Sequence, residues 1–544
     1  MKKSKKVLSS VLAVSCLFGV AGASGCGKKV ANDENTLEIY IGNFGYGTQW
    51  LDKEIELFKE QAWVKEKYPN LEIPTPSSNS DREYSANKIA AGSSANNIDL
   101  FFSTTSASGR YATKAANGSA LFEDLSDVYD STVPGEEIEL KNKMLSDIYA
   151  TQSAEVDGKT VYYAMPWVNG YEGLLYNKTL MDRLYGGSDY TMPRTTDELL
   201  ALAEKIRVED TSRSVFVSSS KYGYWMNATV LWWSQYEGLA NYVNYWNGVN
   251  EANQRIAADV IGQKGRLRAL EVTESLLGRR NVNGTEVTYI HSDTNVMEFT
   301  QAQSKFLAGE SYIMQNGDWF ENEMRETAAE NPNNYVLRFM RTPVISSITE
   351  KCKTVKTDAD LAKVVDCVDA GMDYEATKAA YTSGELSQAD YNKIKEARTL
   401  MYRVVGHEAY IPSYATAKDL AKDFLRFLST DIAIEAFTTV TNGASTPYSY
   451  DLQAKNASFY QSLPEIHKSR LEISKTGVSL PPYTSFKLHY LGGHYTFVKT
   501  ANIESSFTSK NSKDRKTAQQ IYQADIDYYT DAVWNTMLQK AGLL

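Results

Sequence analysis

The chain has 544 residues, of which 42% are hydrophobic and 23% are charged, and its formal net charge is −10. More than 500 residues exceed what one hydrophobic core usually supports, so we expect at least two compact units. The acidic balance argues against a nucleic-acid partner, because phosphate binding needs clustered lysines and arginines.

The first 25 residues have the layout of a secretion signal. Four lysines within the first six residues are followed by an uncharged run that ends at Gly25, an order typical of exported chains. Small residues then precede Cys26, which resembles the bacterial lipobox, in which the cysteine is acylated and becomes the mature N-terminus. Ala23 stands where leucine is commoner in that motif. We therefore predict a signal peptide over residues 1–25, a lipid on Cys26 and a linker over 26–35, with an ordinary signal peptide or a membrane-spanning anchor as alternatives.

Strands and helices alternate from residue 37 onward. The apolar alternation over 37–41 predicts a strand, and apolar residues at helical spacing over 51–58 predict a helix. A second strand over 71–73, a helix over 84–91 and a continuously apolar strand over 98–102 follow. This order and spacing indicate an α/β unit with a parallel sheet.

The alternation continues in the middle of the chain. Residues 161–176 predict two strands, and residues 215–217 predict another. A helix is predicted to begin at Thr195, because Thr195 and Glu198 have the spacing of a capping box. Residues 306–314 are interpreted as a helix end, a glycine turn and a strand.

The last third of the chain is predicted to be mainly helical. Thr416 with Asp419 forms a helix start, and residues 518–538 have the pattern of a helix near the C-terminus. Residues 349–405 are charged, helix-prone and poor in glycine and proline. We interpret this segment as a helical insertion on one of the compact units.

Two cysteines, Cys352 and Cys367, remain besides Cys16 in the leader and Cys26. Outside the cell a disulfide between them could persist, and closure of the short loop between them would stabilise the fold by about 3 kcal/mol in the chain-entropy model. Two free thiols are the alternative.

The aromatic content is high, with 36 tyrosines and 9 tryptophans. Both side chains combine a flat apolar face with a polar group, which suits the C–H faces and hydroxyls of sugar rings. Large cores also use aromatic residues, so the composition favours a sugar ligand without identifying one.

Four stretches, in this order, resemble the extracellular solute-binding proteins of sugar-type ATP-driven importers. Residues 161–178 resemble that family's crossover into its second lobe, and residues 192–199 resemble its proline-led helix start. Residues 306–319 are similar to its return to the first lobe, and residues 416–447 to its late helix and following turn. The resemblance covers nearly the whole mature chain except the 349–405 segment and the long C-terminal region.

The resemblance implies an α/β, two-lobed periplasmic-binding-protein-like fold of type II, in which each lobe is a mainly parallel sheet flanked by helices. Lobe 1 would comprise residues 36–163 and 300–415, with the helical insertion at about 349–405, and lobe 2 would comprise residues 164–299 and 416–544. A ligand would lie in the cleft between the lobes and favour the closed state of a hinge equilibrium.

The same resemblance implies a function. The chain would be the lipid-anchored substrate-binding component of an ABC importer, which captures a carbohydrate, in particular an oligosaccharide, and delivers it to the permease subunits. It would sit on the outer face of the bacterial cytoplasmic membrane as a monomer, without a cofactor or a metal.

Loops that follow parallel strands supply the polar groups and apolar platforms of such a cleft. Helix capping, hinge packing or burial in a core is the alternative role for each candidate. Trp319 lies where the family often stacks an aromatic ring on a sugar. The candidate ligand contacts are Asn43, Phe44, Tyr46, Ser103, Thr104, Trp167, Asn169, Tyr171, Tyr224, Trp225, Asp318 and Trp319.

No catalytic pattern stands out. The five histidines are scattered, and neither a His-x-x-x-His nor a Cys-x-x-Cys metal motif occurs. The sequence also has no Gly-x-Ser-x-Gly elbow and no Gly-x-x-x-x-Gly-Lys-Ser/Thr phosphate loop. We therefore predict that the chain is not an enzyme. Two other hypotheses are a sugar-binding module that feeds a sensor kinase and an extracellular carbohydrate-active enzyme.

Overall fold

The structure is a computed structural model of the 544-residue chain. The predicted leader, Cys26 and most of the linker lie outside the described residues, as does Thr104. In the part of the chain that the structure describes, no helix is both long and apolar enough to cross a membrane. The described residues are 33–81, 84–94, 96–103, 121–156, 158–330, 333–404, 407–493 and 495–544.

Fifteen strands are described. Most are short, and the longest is fully buried over all eight of its residues. The strands are Ile39–Gly42 (β1), Ser77–Asn79 (β2), Leu100–Ser103 (β3), Ala154–Val156 (β4), Lys159–Val161 (β5), Met165–Pro166 (β6), Gly170–Asn177 (β7), Ser214–Val217 (β8), Arg280–Val282 (β9), Thr285–Val287 (β10), Ser311–Gly317 (β11), Leu337–Met340 (β12), Leu400–Val404 (β13), Glu408–Tyr410 (β14) and Val478–Ser479 (β15).

The strands form two separate larger sheets and two hairpins. The first sheet has the order β2-β1-β3-β14-β6, and the second has the order β15-β13-β7-β11-β8, with β12 also paired to β7. Pairs such as β1–β3 and β8–β11 are parallel, as predicted, but β7 runs antiparallel to β11, β12 and β13. The sheets are therefore mixed rather than mainly parallel, because strands that enter from the other lobe run against their neighbours.

Helices cover both sheets. Short 3₁₀ turns lie at Gly92–Ser94, Ser346–Lys351 and Tyr483–Ser485. The α-helices are Gln49–Glu60, Ala62–Lys67, Tyr84–Ala91, Ser126–Tyr129, Leu140–Lys143, Ser146–Tyr149, Lys178–Tyr185, Thr196–Glu209, Trp225–Glu237, Leu239–Trp246, Ala257–Ile261, Lys264–Leu277, Phe299–Leu307, Phe320–Glu323, Arg325–Glu330, Asp358–Asp369, Tyr374–Ala380, Gln388–Thr399, Lys418–Phe427, Asp431–Val440, Leu452–Lys455, Ala457–Ser462, Glu465–Ser474, Lys487–Leu491, Ile503–Thr508, Ala518–Tyr528 and Asp531–Lys540.

Each sheet has its own hydrophobic core, which confirms the two-lobed fold. In lobe 1, Trp50 packs edge-on against Phe437 with ring centroids 5.2 Å apart, so the first and a late helix cover one sheet. In lobe 2, Trp225 packs edge-on against Phe216 of β8 at 5.1 Å. The core of lobe 2 also includes Trp534 from the last helix.

The division of the chain between the lobes differs from the prediction. Residues 311–404 belong to lobe 2, because β11, β12 and β13 all pair with β7. Residues 408–448 belong to lobe 1, where β14 pairs with β3 and the following helices join its core. The predicted assignment of 300–415 to lobe 1 and 416–544 to lobe 2 is wrong, since the chain returns to lobe 1 between β13 and β14 and not at residues 306–319.

Several local predictions are confirmed. The helix predicted over 84–91 is Tyr84–Ala91. Thr195 caps the helix that follows, because its hydroxyl oxygen accepts the Glu198 N–H at 3.2 Å. The Glu198 carboxylate, however, accepts the Arg194 N–H at 2.8 Å rather than that of Thr195.

Other local predictions are wrong. The second strand lies at β2 rather than at 71–73, where only a bridge from Thr36 to Glu72 forms. Thr416 caps nothing: its helix begins two residues later and has no side-chain cap. The C-terminal segment is two helices rather than one, because the second helix has its own N-cap at Thr530.

The 349–405 segment is helical, as predicted, and contains three α-helices, but it packs onto lobe 2 rather than onto lobe 1. Cys352 and Cys367 are both free thiols, so the disulfide is not formed. Cys352 is buried in the lobe 2 core, whereas the helix Asp358–Asp369 buries Val364 and Val365 on its inner face. Cys367 lies two residues, about 200°, beyond Val365 and so points away from that face.

Candidate functional site

A cavity of about 1310 Å³ opens between the two lobes. The loop after β1 lines it from lobe 1, and Ser80 after β2 adds to that side. Lobe 2 contributes residues 221–227 at the start of a helix, residues 319–323 after β11 and residues 501–504 near the C-terminus. The cavity therefore lies where the loops of both sheets converge, which is the usual place for a ligand in α/β folds.

The wall of the cavity is rich in aromatic side chains. Tyr222 is the most exposed of them at 49%, and its ring packs edge-on against Phe299 with centroids 5.1 Å apart. Trp319 presents only 8% of its surface, because its ring lies over Gly317, where an added Cβ would be 2.1 Å from the ring. The aromatic lining residues are Phe44, Tyr222, Tyr224, Phe299, Trp319, Tyr402 and Tyr483.

Two buried carboxyl groups, those of Glu172 and Glu504, also line the cavity and are 3% and 1% exposed. The Glu172 carboxylate accepts hydrogen bonds from Asn227 Nδ2 at 2.7 Å and from Gln315 Nε2 at 3.2 Å. The pKa of Glu172 is raised to about 8, mainly by burial and also by the nearby charge of Glu504, against the effect of these two donors.

Glu504 holds the start of the helix Trp225–Glu237 in place. Its carboxylate accepts the backbone N–H of Trp225 at 2.8 Å and the hydroxyl of Ser218 at 2.7 Å. Burial raises the pKa of Glu504 to about 7, although both hydrogen bonds lower it. An acidic group at a helix N-terminus is stabilised by the free N–H groups there.

The connections between the lobes form a separate buried cluster. The backbone N–H of Trp167 donates to the backbone carbonyl of His407 at 3.2 Å, and the backbone N–H of Asn169 donates to the backbone carbonyl of Ser445 at 2.7 Å. The segment before β7 is thus hydrogen-bonded both to the segment before β14 and to the segment after the helix Asp431–Val440.

An ion pair between Asp318 and Arg470 also lies in this buried cluster, which we call the hinge cluster. Tyr46 from lobe 1 donates its hydroxyl to Asp318 Oδ1 at 2.5 Å, and Asp318 Oδ2 forms an ion pair with Arg470 Nε at 3.2 Å. Arg470 also donates to the carbonyl of Asn169 at 2.5 Å and to the hydroxyl of Ser445. Burial raises the pKa of Asp318, and the charge of Arg470 opposes that shift.

Four of the twelve predicted contacts line the cavity: Asn43, Phe44, Tyr224 and Trp319. Three others, Tyr46, Asn169 and Asp318, belong to the hinge cluster instead.

The remaining predicted contacts that the structure describes are buried away from the cavity. Trp167 stacks on Trp50 in the lobe 1 core with centroids 4.7 Å apart. Trp225 is fully buried in the lobe 2 core, and Tyr171 is buried in β7. Ser103 is buried, and its hydroxyl lies 2.8 Å from that of Ser85. Thr104 lies outside the described residues.

Sequence reasoning missed Glu172, Tyr222 and Glu504. For Glu172 a signal was present, since it is the one charged residue inside the apolar segment 170–177. For Glu504 no local signal exists, because a short helix far along the chain carries it to the cavity. Among the described residues, no group of three or more histidine, cysteine or acidic side chains is arranged to hold a metal ion.

Comparisons with known proteins agree with this architecture. A family model described as bacterial extracellular solute-binding protein matches residues 47–434. None of the curated proteins matches the chain. Among solved structures, a probable secreted solute-binding lipoprotein from Streptomyces coelicolor is similar with a TM-score of 0.54 and 14% identity, covering 92% of this chain and 99% of that one.

Two further solved structures are similar over a comparable length. The maltose-bound MalE3 of T. maritima has a TM-score of 0.52 and 15% identity, with 91% of this chain and 100% of that chain covered. A Streptococcus pneumoniae solute-binding protein in complex with the blood group A-trisaccharide has a TM-score of 0.52 and 14% identity, with 91% and 99% covered. At these identities the likeness shows a shared fold.

Proposed function

The chain belongs to the bacterial extracellular solute-binding protein family, and from that membership we propose that it captures a carbohydrate, in particular an oligosaccharide, between its lobes. The observation that carries this proposal is the cavity, which is lined by aromatic rings and polar side chains from both lobes. Aromatic faces suit the C–H faces of sugar rings, and amide and carboxyl groups suit their hydroxyls.

The size of the cavity supports more than one sugar ring. Its volume of about 1310 Å³ exceeds the range of roughly 300–1,000 Å³ that is usual for small-molecule pockets. Two of the structures with similar folds hold maltose and a trisaccharide.

Capture would close the cleft around the sugar. Because the segment before β7 is bonded to the segment before β14 and to the segment after the helix Asp431–Val440, the lobes are held at one hinge, and a ligand that contacts both walls would favour the closed state of a hinge motion. We further propose that a lipid on Cys26 holds the protein at the outer face of the membrane, that it acts as a monomer, and that it passes the sugar to an ABC permease without chemical turnover.

A thermal-shift screen with a broad saccharide panel tests ligand capture. A ligand present at about 100 times its dissociation constant stabilises the folded state by about 2.7 kcal/mol. We expect at least one saccharide to raise the melting temperature and to remain chemically unchanged afterwards. If peptides or other solutes shifted the melt and no saccharide did, the carbohydrate proposal would be wrong.

Two tyrosine variants locate the binding. Tyr222 lines the cavity and is 49% exposed, whereas Tyr185 is 41% exposed on lobe 2 and is not among the residues that line it. Tyr222→Ala should weaken binding of the saccharide found in the screen, and Tyr185→Ala should leave it unchanged. Equal effects of the two substitutions would place the ligand elsewhere.

The anchor is tested separately. Cys26→Ser should move the protein from the membrane fraction to the medium, with ligand affinity unchanged. Retention of Cys26→Ser in the membrane fraction would contradict lipid anchoring and leave the ligand proposal intact.

A further inference from the structure

Two carboxyl groups in the wall of the cleft, Glu172 and Glu504, have no cationic partner in the part of the chain that the structure describes. Among the described residues, no lysine, arginine or histidine forms an ion pair with Glu172 or Glu504, although both are almost fully buried. Lys221 is the one lysine or arginine among the described residues that line the cavity, and it is paired with Glu298. Glu323 adds a third carboxyl to the wall.

Other buried carboxyls of the described residues fall into two groups. Glu54 and Asp390 also form no ion pair, but they do not line the cavity, whereas two others are paired with an arginine. Asp525 is fully buried and pairs with Arg266 at 2.8 Å, and Asp318 is buried and pairs with Arg470 at 3.2 Å. Leaving a buried charge without a counter-charge is expensive in free energy, so such groups are normally paired. Glu172 and Glu504 lack a counter-charge from the described residues and line the cavity, where a ligand could bring one.

The hydrogen-bond donors to Glu172 and Glu504 hold the two carboxyls in position without supplying a positive charge. Asn227 and Gln315 are neutral amides, and the donors to Glu504 are a hydroxyl and a backbone N–H. The raised pKa values, about 8 and about 7, reflect burial and, for Glu172, repulsion from Glu504. A cation placed beside both groups would relieve that repulsion and favour their ionised forms.

We infer, on the basis of the proposed function, that the cleft selects a saccharide with a free amino group, whose ammonium lies beside Glu172 and Glu504. In a site of low dielectric an ammonium is attracted to two carboxylates far more strongly than in water. The aromatic wall adds a surface that attracts cations as well as sugar C–H faces.

The proposed selection depends partly on a residue outside the segment that the family model matches. Glu172 lies within residues 47–434, which the family model matches, whereas Glu504 lies beyond them. The C-terminal region also brings Tyr483 and Asn502 to the cavity wall. The charge of the cleft therefore depends on a segment outside the matched residues.

The test uses matched sugars that differ at one position. Each set in a calorimetric panel contains the same mono- or oligosaccharide with a hydroxyl, an N-acetyl group or a free amino group, and spermidine is included as a non-sugar cation. We expect at least one amino sugar to bind at least tenfold more tightly than both of its neutral counterparts. Glu504→Gln and Glu172→Gln should each reduce that preference to within about threefold.

Controls separate charge from folding. Glu56→Gln removes an exposed carboxylate outside the cleft and should leave the preference unchanged. Glutamine keeps the shape of the side chain and one acceptor oxygen, and the melting temperature of each variant without ligand checks that it folds; if one variant fails to fold, the other decides.

The outcomes distinguish this inference from the proposed function. Neutral sugars that bind as tightly as every amino counterpart, or a preference that survives both glutamine substitutions, would overturn the amino-sugar inference while carbohydrate capture stood. Binding of spermidine with no saccharide binding at all would overturn the proposed function and the inference with it.

Discussion

Two buried acidic regions lie close to the cleft, and they are built differently. At the hinge, Asp318 has a tyrosine hydroxyl and the guanidinium of Arg470. In the cleft wall, Glu172 and Glu504 accept hydrogen bonds only from neutral donors among the described residues. Both regions remove carboxyls from water, so the difference lies in whether the protein supplies the counter-charge itself.

The comparison indicates two kinds of role for a buried carboxyl. Asp318 has a counter-charge from Arg470 and accepts the Tyr46 hydroxyl from the other lobe, so this group holds the chain in one arrangement and leaves no unpaired charge for a ligand to neutralise. A carboxyl that lacks a counter-charge and lines a cavity is stabilised when a ligand supplies that charge. Ligand binding then increases the free energy of unfolding.

The hinge pair gives the largest expected effect. Arg470→Met leaves Asp318 buried without its cation and removes the bonds to Asn169 and Ser445, so we expect the free energy of unfolding to fall by about 3–5 kcal/mol. Urea unfolding followed by fluorescence measures it. Arg338→Met, which breaks partly exposed pairs with Glu465 and Glu472, is the control and should cost less than about 1 kcal/mol. Equal midpoints for the two variants would contradict the role given to the hinge.

The second-largest effect is expected at Trp319, which borders both the cavity and the hinge cluster. Its ring lines the cavity and packs edge-on against Tyr46 of the hinge cluster with centroids 6.5 Å apart. We expect Trp319→Ala to weaken sugar binding by roughly 1–3 kcal/mol, taking base–aromatic stacking as a loose analogue.

Calorimetry on the folded variant measures this loss. Trp63→Ala, at a half-buried tryptophan that packs on Phe58 away from the cleft, is the matched control and should bind the sugar normally. A folded Trp319→Ala protein with unchanged affinity would remove Trp319 from the binding surface.

Local sequence patterns predicted much of the secondary structure and part of the site. Thr195 and the helix Tyr84–Ala91 were predictable because capping and helical periodicity depend on neighbours in sequence. Phe44 and Trp319 were predictable as cleft residues because each follows a strand.

Assignments that depend on distant pairing were not predictable in the same way. An apolar strand pattern at β11 indicates burial but does not say which sheet the strand joins, and in the structure it pairs with β7. The same limit applies to Glu504, whose helix reaches the cleft only because the C-terminal region packs onto lobe 2.

The cleft carboxyls predict how stability changes with pH in the ligand-free protein. Their pKa values in the folded state, about 8 for Glu172 and about 7 for Glu504, lie above the ordinary glutamate value. The folded state therefore keeps protons that the unfolded state has lost, and the free energy of unfolding should fall as pH rises from about 5 to about 8. Each carboxyl contributes at most about 1.4 kcal/mol per pH unit.

Unfolding midpoints at several pH values test this slope. The double variant with Glu172→Gln and Glu504→Gln should lose less stability over that range than the unchanged protein, because neither glutamine titrates. Identical slopes for the two proteins would show that the cleft carboxyls are not the groups that release protons.

The smallest effect is expected at the exposed pair beside the cleft. Lys221 and Glu298 are 46% and 48% exposed, so Lys221→Met should change the free energy of unfolding by less than about 1 kcal/mol. The substitution removes a positive charge from the cavity wall, and it should therefore leave the affinity for an amino sugar unchanged or slightly higher. A tenfold loss of that affinity in a folded Lys221→Met protein would mean that the cleft recognises a negative group near Lys221, in conflict with selection by Glu172 and Glu504.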